Sequence, residues 1–173
     1  GVDVGNRTIQ AYDASAQGSY LFDLNKEKGI ALRTTLGGEL LSGTAQDATD
    51  KVNRSYSPMF GTNHVFNGYM DNFFAGGWHA NSTGLLDLFL RVRYDFNKRT
   101  FVSMDIHEFQ TAANVIKDGQ HMDGQLGNEI DLSFGHIVND VLSVQAGYSQ
   151  IFATTTLEKV EAVATPATTQ NWA

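Results

Sequence analysis

The chain has 173 residues with a formal net charge of −7, and no basic cluster offsets that balance, which argues against nucleic acid as a partner. It has no cysteine, which excludes a disulfide framework and thiolate chemistry. Charged residues are sparse at 18%, and no run approaches the roughly 18 consecutive apolar residues of a membrane helix. A membrane β-barrel stays open as a class, because its apolar residues are spread over alternate positions.

Residues 8–22 alternate weakly. Tyr12, Ala14, Ala16, Gly18, Tyr20 and Phe22 share one face, against Asp13, Ser15, Gln17 and Ser19. Asn25-Lys26-Glu27-Lys28-Gly29 reads as a hairpin turn, and residues 30–41 resume the alternation. There Ile30, Leu32, Thr34, Leu36 and Leu40 oppose Arg33, Thr35, Gly37 and Glu39. Residues 42–83 form a long loop, polar at first and then crowded with Tyr56, Phe60, Phe66, Tyr69, Phe73, Phe74 and Trp78. A loop so long and aromatic is seldom free in solvent, so it is expected to fold over or into a barrel as a candidate constriction.

The clearest pattern runs from 85 to 109. Leu86, Leu88, Leu90, Val92, Tyr94 and Phe96 make one face of a strand over 85–96. Leu85, Asp87, Phe89, Arg91, Arg93 and Asp95 make the other. After the turn at 97–100, a strand over 101–109 sets Val102, Met104 and Ile106 against Ser103, Asp105 and His107. Residues 126–138 place Leu126, Ile130, Leu132, Phe134 and Val138 against Glu129, Asp131, Ser133 and Gly135. Asn139-Asp140 is a minimal turn into 141–152, and 154–170 reads as a third long polar loop before Trp172.

About six strands therefore emerge as one all-β region, 8–22, 30–41, 85–96, 101–109, 126–138 and 141–152. Short turns alternate strictly with long loops, which puts every short turn at one end, as in outer-membrane barrels. Alternation alone leaves open which face is inside. A soluble barrel binding a small apolar ligand would turn the leucines inward. Strand length, aromatic strand ends (Tyr20, Phe22, Tyr94, Phe96, Phe101, Tyr148) and mixed charge on the polar face favour the inverted, lipid-facing arrangement. On that reading Arg33, Glu39, Asp87, Arg91, Arg93, Asp95, Asp105, Glu129 and Asp131 line a pore, and register could set Asp105 beside Arg91 or Arg93. This stretch of wall is formally acidic, which disfavours polyanions.

Signs of enzymatic chemistry are absent. His64, His79, His107, His121 and His136 show no metal-ligand spacing, no serine sits in a nucleophile-elbow context, and no catalytic residue, metal or cofactor is expected.

Gly61-Thr62-Asn63-His64-Val65-Phe66-Asn67-Gly68-Tyr69-Met70-Asp71, Leu126-Gly127-Asn128-Glu129-Ile130-Asp131-Leu132 and Gln145-Ala146-Gly147-Tyr148-Ser149 resemble the C-terminal part of the alginate-export-type outer-membrane porins. The resemblance implies an antiparallel up-and-down transmembrane β-barrel in the bacterial outer membrane of a Gram-negative cell. It further implies passive passage of a hydrophilic solute, a saccharide or polysaccharide among the candidates. The partners expected are the lipid bilayer and lipopolysaccharide, the solute, and other envelope proteins. Six strands fall short of the eight-strand minimum for such barrels, so the sequence is expected to be a fragment of a larger one.

Overall fold

The computed structural model describes residues 5–57, 67–73 and 82–160, and the backbone of 169–172. Its main feature is one antiparallel sheet of seven strands, each beside its neighbour in sequence. They are β1 (Asp13–Asn25), β2 (Ile30–Leu41), β3 (Leu85–Asn97), β4 (Thr100–Gln110), β5 (Gln125–Asn139), β6 (Leu142–Ala153) and β7 (Thr169–Trp172). The chain is thus all-β in class, and its main sheet is antiparallel. Among the described residues the sheet is open, with β1 and β7 as its edges. Because every neighbouring pair is antiparallel, those two edges run the same way. An all-antiparallel closure would need an odd number of further strands between them.

Alternating side chains explain why these segments are strands. The turns have a shared local cause. Asn25 Oδ1 accepts from Lys28 N, Asn97 Oδ1 from Arg99 N, and Asn139 Oδ1 from both Val141 N and Leu142 N, at 2.8–3.0 Å. An asparagine side chain thereby satisfies the first free backbone donors at each short turn. All three turns lie at one end of the sheet. The long connections gather at the other, where they bond to one another: Gln46 N donates to Asn114 O, and Ile116 N to Gln46 Oε1 at 2.6 Å.

Several boundaries differ from the sequence reading. The first long strand starts at Asp13, while Thr8–Ile9 instead make a short parallel bridge to Val52–Asn53. Within the expected loop 154–170, Thr155–Val160 is a short helix, α1, and Thr169–Trp172 pairs with β6. Leu126 is the clearest departure. Gln110 pairs with Gln125 and Phe109 with Gly127, so Leu126 is the extra residue of a β-bulge. The bulge shifts it off the alternation, and it is fully buried instead of sharing the face of Leu132.

The buried hydrophobic cluster sits at the loop end. Leu41, Phe73, Leu85, Phe109, Leu126, Ile151 and Leu157 form it, with Tyr56, Met70 and Ala153 packed around them.

Candidate functional site: a charged sheet face under a strap

Register brings the nine charged residues singled out in the sequence to one face. Glu39 pairs with Asp87, Arg33 with Arg93, and Arg91 with Asp105, which in turn pairs with Asp131. Glu129 lies opposite His107, and Asp95 opposite Phe101. The other face carries Leu36, Leu88, Leu90, Met104, Leu132 and Phe134. The usual relation between polarity and burial is inverted across this sheet. Leu36 is 69% exposed and Leu132 44%, whereas Asp87 and Glu129 are 0% exposed.

What covers the acids is the segment 67–73, a strap from the long aromatic loop. Asn67 Nδ2 donates to Glu39 Oε2 at 2.9 Å and to Asp87 Oδ2 at 3.3 Å. Tyr69 N donates to Asp131 Oδ2 at 3.3 Å, and Met70 N to Glu129 Oε1 at 2.9 Å. Backbone donors aimed at buried carboxyl oxygens fix the strap, because groups shielded from water on both sides satisfy one another. Gly68 is required between them. Its φ is +80°, and a Cβ there would run into the Glu129 carboxylate. At the far end Phe73 is buried on Phe109, with ring centroids 4.3 Å apart.

Beneath the strap, His107 Nδ1 lies 2.8 Å from Asp87 Oδ1 in a fully buried pair, and the imidazole stacks on Phe109. Glu129 and Asp131 interact side by side. Glu129 Oε2 and Asp131 Oδ1 are buried with no hydrogen-bond partner outside this pair among the described residues. Toward the turn end the face opens. Arg91 Nε is 3.3 Å from Asp105 Oδ2 and its guanidinium covers the Phe89 ring at 4.2 Å. Arg93 lies 3.7 Å over Phe101 and donates through Nε and Nη2 to Asp95 Oδ1. Phe101 in turn lies over Gly135, where no Cβ would fit. Asp105 therefore sits across from Arg91, and Arg93 is held by Asp95 of its own strand.

No protein-family model, curated protein or solved structure matches the chain. The resemblance drawn from the sequence thus gains no support from known relatives, and the site must be read from its own chemistry.

Burial changes the electrostatic reading. By formal count the face is acidic, yet Asp87, Asp105, Glu129 and Asp131 are all buried. The cations are not: the Arg93 side chain is 43% exposed, Arg91 34%, and Arg33 lies open beside Arg93. Solvent on this side of the strap meets these guanidiniums together with Asp95 and the more exposed Asp23 of the same face. Tyr69 of the strap has its phenol pKa raised, first by burial and then by the nearby charges of Asp105 and Asp131, with Arg91 opposing.

Of the aromatic residues expected to constrict, Tyr56, Tyr69 and Phe73 take these positions, while Phe60, Phe66, Phe74 and Trp78 lie outside the described residues. Sequence reasoning missed Asn67, Gly68 and the Asp87–His107 pair. His107 was legible as a polar-face residue, but its partner depends on register. Asn67-Gly68 was legible only as a turn signal. Among the described residues, no group of three or more His, Asp or Glu could hold a metal ion.

Proposed function

We propose that this chain forms part of the wall of an outer-membrane-type β-barrel channel, with the leucine face toward lipid and the charged face lining a passage for a hydrophilic solute. The observation that carries the reading is the inverted burial. A contiguous face of Leu36, Leu88, Leu90, Met104, Leu132 and Phe134 is exposed, far beyond what a soluble monomer normally leaves in water. The opposite face is given over to carboxylates, guanidiniums, hydroxyls and a histidine. Strands of 11–15 residues over β1–β6 are long enough to cross a bilayer at the usual tilt. Short turns at one end and long, mutually bonded loops at the other fit a bacterial outer membrane.

The passage needs no covalent chemistry. Its wall offers hydrogen bonds, such as the Ser103–Ser133 hydroxyl pair at 2.6 Å, and fixed charge at Arg33, Arg91 and Arg93. The strap narrows it from one side, with Tyr69 facing a space shared with Arg93, Phe101, Ser103 and Ser133. The resemblance noted in the sequence puts saccharides first among the solutes to try. The protein reconstituted in planar bilayers is expected to give stepwise conductance that a concentrated hydrophilic solute reduces. A protein that stays monodisperse in detergent-free buffer and conducts nothing would instead be a soluble barrel holding an apolar ligand.

A further inference from the structure

The apolar face is not uniform. Across β5 and β6, Leu132 pairs with Tyr148 and Phe134 with Ala146, while Val102 of β4 flanks Phe134 on the other side. Ala146 is small among large neighbours, and a hollow of about 360 Å³ opens there, walled by Val102, Leu132, Phe134, Ala146 and Tyr148. Its walls are hydrocarbon and aromatic ring, and it lies on the exposed side of the sheet.

The strands that wall this hollow lead straight to a basic turn. Two residues beyond Phe134, about 7 Å along the strand, is His136, whose Nδ1 lies 2.9 Å from Thr100 Oγ1. Next to it the Arg99 carbonyl accepts from Ile137 N at 2.8 Å, so Lys98 and Arg99 lie at the turn end of the same strands. Lys98 leans away, against Gly29 of the first turn, and Arg99 is the cation left at the end of these strands. A hydrocarbon trough ending at a cation has the amphipathic order of a phospholipid: acyl chain first, phosphate at the interface. A partner's apolar side chain would fill the hollow without using the cationic end.

We infer that this hollow seats one glycerophospholipid, with an acyl chain along Val102, Leu132, Phe134 and Ala146 and its phosphate within reach of Arg99. The inference rests on the membrane reading above and adds a defined partner to it. Cations at an interface favour anionic headgroups, so phosphatidylglycerol is the probe to use.

Native mass spectrometry of the detergent-solubilised protein titrated with dipalmitoyl phosphatidylglycerol reads the seat directly. Ala146→Phe, which fills the hollow, and Arg99→Gln, which removes the phosphate contact, should each lower the retained lipid about fivefold. Leu36→Phe, on the same face but remote, should leave it unchanged. Unaltered retention in both test variants overturns the seat. Dipalmitoylglycerol, which has the same chains and no charge, retained as well as the phospholipid overturns the phosphate contact, and a dimer lost in Ala146→Phe gives the hollow to a second copy instead. Should Ala146→Phe fail to fold, Ala146→Leu carries the same test. Flotation with phosphatidylglycerol vesicles keeps the two ideas apart. If the unaltered protein does not float, the membrane reading falls. If it floats while retention ignores Ala146 and Arg99, only the seat falls.

Discussion

The strap hangs on a carboxyl pair, and replacing Glu129 in two ways separates hydrogen bonding from charge. Met70 N donates to Glu129 Oε1 at 2.9 Å, and Glu129 is fully buried. Glu129→Leu keeps the bulk but removes the acceptor, leaving a shielded N–H unsatisfied at a cost of about 1–3 kcal/mol. Glu129→Gln keeps an acceptor for Met70 N. Its amide can also donate to Asp131 Oδ1, which has no hydrogen-bond partner outside the Glu129–Asp131 pair among the described residues. The glutamine variant should therefore hold the strap at least as well as the native residue. The cost in Glu129→Leu falls on the strap's local opening, so hydrogen exchange at the Met70 amide should quicken by about 5- to 150-fold. Amides in the centre of β3 and β4 should not change. If Glu129→Gln exchanges as fast as Glu129→Leu, the strap is held by charge and not by the hydrogen bond. If neither variant changes, the carboxylate does not anchor it.

Three other outcomes follow from the same geometry. Leu132→Arg or Leu88→Arg should block assembly into membranes, at about 2–4 kcal/mol for a cation in the hydrocarbon midplane, whereas Ser143→Arg should assemble normally. Heat-modified electrophoretic mobility after refolding into lipid reads this, and the reverse pattern would put the leucines inside. Deleting residues 67–73 should raise single-channel conductance with the sheet's circular dichroism unchanged, while equal conductance would make the strap a cap outside the passage. Tyr69 has a raised pKa because burial disfavours its phenolate, so its contribution to holding the strap is complete below the unfolded value. That contribution should be lost as pH climbs above about 10, seen as a fall in the Met70 protection factor, the rate taken relative to the intrinsic base-catalysed rate at the same pH, that Tyr69→Phe does not show.

Much of this architecture is visible in the alternation. Leu86 to Phe96 and Val102 to Ile106 mark strands, and their odd-numbered neighbours mark the charged face, because a period of two leaves no other assignment. The turns were visible through Asn25, Asn97 and Asn139. Two kinds of feature were not. A bulge such as that at Leu126 shifts a residue off the alternation without any local compositional sign, since the cause lies in how Phe109 and Gln110 pair across it. The strap's anchoring was hidden as well. Nothing in Asn67-Gly68-Tyr69-Met70 announces carboxylates about 60 residues away, because those bonds depend on a fold that ten residues of sequence do not contain. That omission had a consequence for charge. Counting Asp and Glu along the strands makes the wall acidic, and only the strap's position shows which of them solvent reaches.

Selectivity is where that difference can be measured. Arg91 and Arg93 are successive residues of one face, about 7 Å apart, with Arg33 directly across from Arg93. Asp105 and Asp95 offset two of these charges, and exposed pairs of this kind contribute only about 0–1 kcal/mol to stability. Their effect on a passing ion is of similar size and is not cancelled by folding. A unit charge about 6 Å from a guanidinium in water feels roughly 0.7 kcal/mol, and screening at 0.1 M salt leaves around half of it. Two arginines together then attract an anion by about 0.8 kcal/mol and repel a cation by as much, a factor of about 15 in the anion-to-cation permeability ratio. Replacing both Arg91 and Arg93 with Gln should remove that factor and move the reversal potential in a salt gradient toward cation preference, with conductance retained. Acids released from their arginine partners would push the same way. A reversal potential that does not move would mean that the strap shields the arginines as completely as it shields Asp87 and Glu129, and that ions pass along a wall other than this one.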